Sequence, residues 1–103
     1  MRTNITTHDG KQLAAARALA DLGIRELAAA AEMTPRTLHR LETGGFVHVS
    51  EKKRRGHVQR AVWERIIAAL ATAGVELLAE AGSFGAGVRW KEPRERRSPN
   101  AGK

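Results

Sequence analysis

The sequence predicts a mainly α fold, with four helices in one domain followed by a C-terminal β-hairpin. Hydrophobic residues make up 42% of the 103-residue chain and aromatic residues only 4%, and much of the apolar content is alanine, which suits closely packed helices. Four segments repeat apolar residues at helical spacing, and three of them end at glycine. Two short strand-like pieces then flank a glycine-rich stretch, which predicts the hairpin.

Polarity divides the chain into three parts. Residues 1–8 are polar and without periodicity, which predicts a flexible N-terminus. Residues 9–91 hold all the periodic segments, and a chain of this length predicts a single folded domain there. Residues 92–103 carry no large apolar side chain that could anchor them, so we expect a disordered basic tail.

Two helices are predicted near the start of the domain. The first spans Asp9 to Leu22, with Thr7 or Asp9 as its N-cap and Gly23 as its end. The second spans Ile24 to Glu32. The inward faces of the two helices carry Leu13, Ala16, Leu27 and Ala28. The outward face of the first helix carries Lys11, Arg17 and Asp21.

The third helix is predicted from Pro35 to Thr43. Thr34 is a good N-cap, and Pro35 suits the first turn, where its missing N–H needs no partner. The spacing of Leu38 and Leu41 directs them inward, so the polar residues between them face outward. These outward residues are Arg36, Thr37, His39 and Arg40. Two glycines end the helix.

The segment after the third helix is highly charged. Phe46 to Val49 alternates apolar and polar residues imperfectly, and Ser50 to Gly56 is rich in charge, so a loop and a small wing-like hairpin both fit. The loop is the favoured interpretation. The fourth helix is predicted from His57 to Ala73, where Val58, Val62, Ile66, Ile67 and Leu70 form an amphipathic pattern with Trp63 beside it.

The hairpin is predicted from Val75 to Leu78 and from Gly87 to Lys91. An isolated two-stranded hairpin is marginal in water, so we expect it to pack on a helix or on a second subunit. We expect a dimer interface formed by Val75, Leu77, Val88 and Trp90.

Charge points to a polyanionic partner. The formal net charge is +7 and the sequence pI is about 11.1. The positive charge is concentrated in the link at Lys52, Lys53, Arg54 and Arg55, and in the tail at Arg94, Arg96 and Arg97. We expect the link to lie beside the third helix, so phosphate contact is the favoured interpretation, with a merely solubilising loop as the alternative.

Composition excludes several other classes of function. The chain has no cysteine, so disulfides, zinc fingers and thiol catalysis are excluded, and its four histidines lack metal-ligand spacing. We expect no metal and no cofactor. No serine, histidine and carboxylate set and no phosphate loop is recognisable, so we do not expect an enzyme. With no apolar run near the roughly 20 residues of a membrane span and no signal peptide, a cytoplasmic protein without a membrane partner is expected.

Residues 27–42, LAAAAEMTPRTLHRLE, resemble the Cro/repressor-type (Xre-like) helix-turn-helix family. The matching features are Leu27 and Ala28 in the second helix, Met33 in the turn, Thr34 as cap, and Leu38, Leu41 and Glu42 before glycine. The segment AALATAGVELLAEAGSFGAGVRWK is similar to the tail of many short bacterial regulators in that family. Together the resemblance covers roughly residues 11–91.

The resemblance implies that the third helix enters the major groove of DNA, which is wide enough for an α-helix. It places Pro35, Arg36, Thr37 and Arg40 near base edges, and Thr34 and His39 near phosphates. Arginine suits bidentate contact with guanine, so we expect half-sites that contain G.

The chain departs from the family pattern in three places. Ile24 stands where a polar residue, often Gln, usually makes a phosphate contact, and Glu32 stands where glycine is common. The link from Gly44 to Gly56 is longer and more basic than usual, and it could replace the lost phosphate contact.

These observations favour a sequence-specific transcriptional regulator, a repressor or autoregulator, that binds palindromic double-stranded operator DNA as a homodimer. No small-molecule ligand is expected. One alternative is an antitoxin or adaptor whose main role is to bind a partner protein, although the tail lacks apolar anchors for that. A second alternative is a sequence-neutral DNA coater that gains all its affinity from phosphates.

Overall fold

The computed structural model describes residues 5–93 of the chain. The elements in chain order are β1 (Ile5–Asp9), α1 (Gly10–Leu19), α2 (Ile24–Ala30), α3 (Pro35–Thr43), β2 (Phe46–Ser50), β3 (His57–Gln59), α4 (Arg60–Thr72), β4 (Val75–Leu78) and β5 (Gly87–Trp90). Residues 1–4 of the predicted flexible N-terminus and residues 94–103 of the predicted disordered tail lie outside the described residues.

The fold class is α+β, so the prediction of a mainly α protein is wrong. Helices hold 44% of the described residues, and the strands together with the isolated Ala81–Phe84 bridge hold 26%. The strands form a three-stranded sheet in the order β1-β2-β3 and a separate β4-β5 hairpin. In the larger sheet, β1 is antiparallel to β2 and β3 is parallel to it. The four helices stand at nearly their predicted positions, and the larger sheet is the unforeseen part.

The three-stranded sheet includes two segments that were not predicted as strands. Strand β1 lies mostly in the predicted flexible N-terminus, and β2 lies in the segment for which a loop was favoured. In β2, Val47 and Val49 are buried in the core while Phe46 and His48 face outward, which is the alternation of a half-buried strand. The strand β1 is rich in β-branched residues and pairs with all five residues of β2. A four-residue alternation is too short to identify a strand alone, and its partner lies about 40 residues earlier in the chain.

The β2–β3 connection is short for a parallel pair. Residues 51–56 join Ser50 to His57, and His57 pairs with His48. The chain must therefore turn back along β2 within six residues before it runs parallel to that strand. Parallel strands usually need a connection of a dozen or more residues. The pairing also takes residues 57–59 from the predicted fourth helix, which begins at Arg60.

The caps and glycines of the helices follow the sequence more closely. The N-cap of α1 is Asp9 and not Thr7, the other predicted candidate. Its carboxylate accepts a hydrogen bond of 2.9 Å from the backbone N–H of Lys11. The helix α1 ends at Leu19, three residues early, because Asp21 adopts a left-handed conformation with φ of 59°. The bounds of α3 are those predicted.

One hydrophobic core joins the helices, the sheet and the hairpin. Its fully or almost fully buried members are Leu13, Ala16, Leu27, Ala28, Ala31, Leu38, Val47, Val49, Trp63, Ile66, Leu70 and Val75. His8, on the inner side of β1, stacks on Trp63 with ring centroids 4.5 Å apart. The stack ties the three-stranded sheet to α4.

The predicted hairpin is confirmed, and it packs on α1 and α4 of its own chain. The Gln12 side-chain amide of α1 donates hydrogen bonds to the carbonyl oxygens of Leu78 and Gly87, at 2.8 and 2.9 Å. At the other end of the hairpin, the Lys91 N–H donates to the Gly74 carbonyl at 2.8 Å. The hairpin therefore needs no second subunit to cover its inner face.

Gly10 allows the start of α1 to touch the end of α3. Its N–H donates a 2.8 Å hydrogen bond to the Gly45 carbonyl. A Cβ at this position would clash with the Leu41 carbonyl oxygen and would lie 2.8 and 2.9 Å from those of Glu42 and Gly45. These atoms are backbone and cannot move aside cheaply, so only glycine fits here.

Gly10→Ala should lower the free energy of unfolding by about 3 kcal/mol or more, because the methyl group would push two elements apart. Gly85→Ala is the matched control, since a Cβ there meets open space, and it should leave stability unchanged or slightly higher. Urea unfolding followed by circular dichroism measures both variants. Equal midpoints would show that α1 and α3 are not in this close contact.

His8 should make stability depend on pH. Burial lowers its pKa below the ordinary 6.5, and the positive charge of Arg60 lowers it further. The unfolded chain therefore takes up a proton at a higher pH than the folded chain, so stability falls as pH decreases through 6.5. His8→Phe keeps a ring on Trp63 but cannot take up a proton. In urea titrations the free energy of unfolding of this variant should therefore fall less between pH 7.5 and pH 5 than that of the wild-type protein. Parallel curves for both proteins would contradict this coupling.

Candidate nucleic-acid interface

The α2–turn–α3 unit is anchored from both sides. On α2, Leu27 and Ala28 are fully buried, and Ile24 packs against the core, which accounts for an apolar residue at that position. The Arg65 guanidinium of α4 donates a 2.9 Å hydrogen bond to the Ala31 carbonyl at the end of α2. The Ala31 carbonyl lies at the C-terminal end of α2, where the helix offers it no backbone N–H, so Arg65 supplies the missing donor.

The turn between the two helices requires a left-handed residue, and Glu32 supplies it with φ of 59°. Glycine adopts this conformation without steric cost, which explains the expectation of glycine there. The chain then returns inward, since the Met33 N–H donates to the Ala28 carbonyl at 2.9 Å and Met33 packs against the core. The turn thus joins α2 to α3 with a non-glycine residue, Glu32, in the left-handed position.

The first turn of α3 is closed by two threonines. The Thr34 hydroxyl oxygen accepts a hydrogen bond from the Thr37 N–H at 3.2 Å and donates to the Thr37 hydroxyl at 2.9 Å. Pro35 occupies the first helical position, as predicted. The cap fixes where α3 begins and therefore which residues share each of its faces.

A partly buried ion pair holds α3 against α1. The Arg17 guanidinium donates to both carboxylate oxygens of Glu42, at 2.7 and 3.1 Å, and a third donor reaches the Leu22 carbonyl at 3.1 Å. Only 5% of the Glu42 side-chain surface is exposed. The hydrogen bond to Glu42 raises the pKa of Arg17 further above its ordinary value.

Sequence reasoning missed this pair, because Arg17 was assigned to the outward face of the first helix. The available signal was Glu42, which lies four residues after Leu38 and therefore on the inward face of α3. A carboxylate on a buried face needs a cationic partner. That requirement could have indicated an arginine on the neighbouring helix.

The outward face of α3 is available for contact. The exposed side chains on it are Pro35, Arg36, Thr37, His39 and Arg40. Arg36 and Arg40 lie one helical turn apart, so they share a face. Within residues 5–93, neither guanidinium has a hydrogen bond or an ion pair with another residue. All the predicted base-contacting residues are thus exposed on α3, and so are Thr34 and His39, the two of the six predicted phosphate contacts that belong to this helix and its cap.

The basic link forms a second cationic surface. Lys52, Lys53, Arg54 and Arg55 are all exposed in the loop between β2 and β3. The loop is held at its base, since the Ser50 hydroxyl donates to the Lys52 carbonyl and the His57 N–H donates to the Arg54 carbonyl, both at 3.0 Å. Strand β2 separates the loop from the end of α3 by about 15 Å along the chain, whereas the sequence interpretation set them side by side.

The predicted dimer-interface residues do not form one exposed patch. Val75 is 0% exposed in the core of a single chain, so it offers no surface to a partner. Leu77, Val88 and Trp90 are half-buried against the same core. The structure thus places these residues mainly in the packing of the hairpin on its own helices.

Residues 5–93 show no metal site built from three or more side chains and no membrane-spanning helix. No group of three or more His, Cys, Asp and Glu side chains there could hold a metal ion, although the rings of His48 and His57 approach within 5.5 Å. No helix in this part of the chain is long and apolar enough to cross a membrane. Comparisons with models of protein families and with curated proteins found no match to this chain.

Arg17→Met should lower the free energy of unfolding by about 3 kcal/mol, because it leaves the Glu42 carboxylate buried and unpaired. The double variant Arg17→Met/Glu42→Leu should recover much of the loss, since replacing both charges by apolar groups removes the penalty. Chemical denaturation of the four proteins in this cycle measures the coupling. Additive effects of the two substitutions would contradict the pairing.

Proposed function

We propose that this protein is a sequence-specific DNA-binding transcriptional regulator, most simply a repressor or autoregulator. The observation that carries the proposal is the outward face of α3, where two unpaired arginines and a threonine stand on a helix with a fixed start and a rigid inner face. A positioned helix with such side chains fits the major groove of B-DNA.

The rigidity of α3 supports base-specific contact over general attraction to phosphate. Bidentate contact between arginine and guanine discriminates between bases only when the helix is held at a defined depth and rotation. The Thr34 cap fixes the start of α3, and the Arg17–Glu42 pair together with the close contact at Gly10 fixes its end. In this proposal Arg36 and Arg40 contact base edges with Pro35 and Thr37, and Thr34 and His39 face phosphates.

The basic link is proposed to contact phosphates away from α3. Its four cations are exposed, and the hydrogen bonds at Ser50 and His57 limit the positions that the loop can take. Since the link stands at the far end of β2, its phosphates would belong to a different part of the backbone from those near α3. Such contacts add affinity without sequence information.

The proposed operator is palindromic and the proposed regulator a homodimer, because one α3 spans only a few base pairs and two-fold symmetry doubles the contacts. The proposed place of action is the cytoplasm, where operator DNA is available. Selection of binding sites from random duplexes tests the whole proposal. A palindromic consensus with G in each half-site is expected, and recovery of unrelated sequences would instead indicate a sequence-neutral coater.

Substitutions at Arg36 and in the basic link should change DNA binding in different ways. Arg36→Ala should weaken binding to the selected operator by about 1–3 kcal/mol and relax the preference at one base position, with much less effect on scrambled DNA. Lys53→Ala or Arg54→Ala should weaken binding to the operator and to scrambled DNA by the same factor. Each should also reduce the slope of log affinity against log salt by about 1. Equilibrium binding across a salt series measures both effects.

Arg36→Lys is the matched control for charge. It keeps the positive charge but loses the planar bidentate donors, so the salt slope should stay while the base preference falls. If Arg36→Ala and Arg40→Ala both leave the ratio of operator to scrambled affinity intact, α3 does not contact bases and the proposed function is wrong.

A further inference from the structure

Two histidines meet on the outer face of the three-stranded sheet. His48 of β2 and His57 of β3 are partners in the parallel register, and their ring centroids lie 5.5 Å apart with the ring planes tilted by 36°. His48 is exposed and His57 is half-buried. The basic link separates the two residues in the sequence, so their spacing matches no metal-ligand motif. The pairing of the strands is what brings the two rings together.

The hydrogen bonds around His57 determine which of its ring nitrogens carries the proton. The Nδ1 atom of His57 lies 3.3 Å from the Ser50 hydroxyl oxygen. That hydroxyl has one proton, which it donates to the Lys52 carbonyl at 3.0 Å, so it can only accept a hydrogen bond from His57. In the neutral ring Nδ1 therefore carries the proton, and Nε2 keeps a lone pair.

His48 is held in a similar way by the neighbouring strand. Its Nδ1 atom lies 3.2 Å from the Thr7 hydroxyl oxygen of β1. A hydroxyl oxygen can accept a hydrogen bond from Nδ1, which leaves the lone pair of His48 on Nε2 as well. Histidines that bind metals almost always hold the other ring N–H in such a bond, because it fixes the tautomer and the orientation of the ring.

The separation of the rings matches two ligands of one metal ion. Imidazole nitrogens lie about 2.0–2.1 Å from Zn²⁺, so two rings on one ion have centres roughly 5–5.5 Å apart at angles from tetrahedral to trigonal. The observed separation of 5.5 Å is at the upper end of this range. Since the His48 side chain is exposed, rotation about its side-chain bonds can complete the approach without disturbing the core.

The donor set selects the class of metal. Two neutral imidazoles suit late first-row divalent ions such as Cu²⁺, Ni²⁺ and Zn²⁺, whereas Mg²⁺ and Ca²⁺ prefer oxygen ligands. Among residues 5–93, no third His, Cys, Asp or Glu side chain completes the cluster, so water would fill the other coordination positions. Such an open site binds its ion less tightly than a closed structural zinc site does.

We propose that His48 and His57 bind one late transition-metal ion at the base of the basic link. The link leaves β2 after Ser50 and returns to β3 at His57, so the ion would bridge the two strands from which the link projects. A bound ion would therefore hold the ends of the link together and restrict the positions of its four cations. The inference goes beyond the proposed function, because the site needs neither DNA nor α3.

The positive charge of the link does not prevent this binding. Its four exposed cations repel a metal ion, but salt of physiological strength screens exposed charges beyond about 8 Å. The bonds from the ion to the rings are made by neutral nitrogen atoms and do not depend on an opposite charge. The site should therefore be measured at physiological salt.

Isothermal titration calorimetry of the full chain without an affinity tag tests the site, with Ni²⁺ as the probe. One ion per chain is expected, with Cu²⁺ bound more tightly than Ni²⁺ and no binding of Mg²⁺. His48→Gln and His57→Gln should each weaken Ni²⁺ binding at least tenfold. His39→Gln removes an exposed histidine of α3 and is the matched control, so it should bind Ni²⁺ as the wild-type protein does.

Thermal melts give a readout within each variant that a change in its basal stability does not obscure. Ni²⁺ at the site stabilises the folded chain, so it should raise the melting temperature of the wild-type protein and of His39→Gln. The rise should be absent in His48→Gln and His57→Gln. Lack of saturable binding by the wild-type protein would overturn the inference, and so would a rise that both of these variants retain.

Ser50→Ala tests the positioning role of the hydroxyl. Proton–nitrogen NMR correlations of the metal-free wild-type protein should place the His57 proton on Nδ1. Ser50→Ala should let both tautomers form and weaken Ni²⁺ binding by about 10–100-fold, the usual effect of losing a bond that orients a ligand. A wild-type His57 with its proton on Nε2 would overturn the arrangement from which the site is inferred.

Discussion

The contact between the first and third helices sets the geometry on which the candidate interface depends. At one end of it, the absence of a side chain at Gly10 lets the two backbones approach, and a hydrogen bond to Gly45 fixes their separation. About two turns further along α1, the Arg17–Glu42 pair fixes the rotation of α3 about its own axis. Because both constraints act on the inner face, the side chains of Arg36, His39 and Arg40 stay exposed on the outer face of α3.

The local features of this unit could be predicted from the sequence, and the reason is that they depend on near neighbours. Thr34 caps α3 through a hydrogen bond from the N–H of Thr37, three residues away. The bounds of α3 follow from that cap and from the glycines after Thr43. Leu13, Leu38 and Ile66 are buried as the helical spacing indicates. Such patterns are decided within one or two turns of chain.

The rest depends on pairings between distant segments. Strand β1 has a polar composition, and it is a strand only because β2 lies beside it. Arg17 looks like a surface residue until Glu42 is known to face it. At the interface, the sequence placed the basic link next to the third helix because the two are close in sequence, whereas β2 carries the link away from it. Proximity along a chain predicts proximity in space poorly once an extended strand intervenes.

The parallel pairing of β2 and β3 also bears on how this protein could diversify. The six residues between the two strands must reverse direction, so a deletion would pull His57 out of register with His48 and disturb the start of α4. Insertions would merely lengthen an exposed loop, and the entropic cost of loop closure rises by only about 0.6 kcal/mol for each doubling of its length. The length of this loop is therefore constrained in one direction only. The fold can accept a longer loop with different charges, but not easily a shorter one.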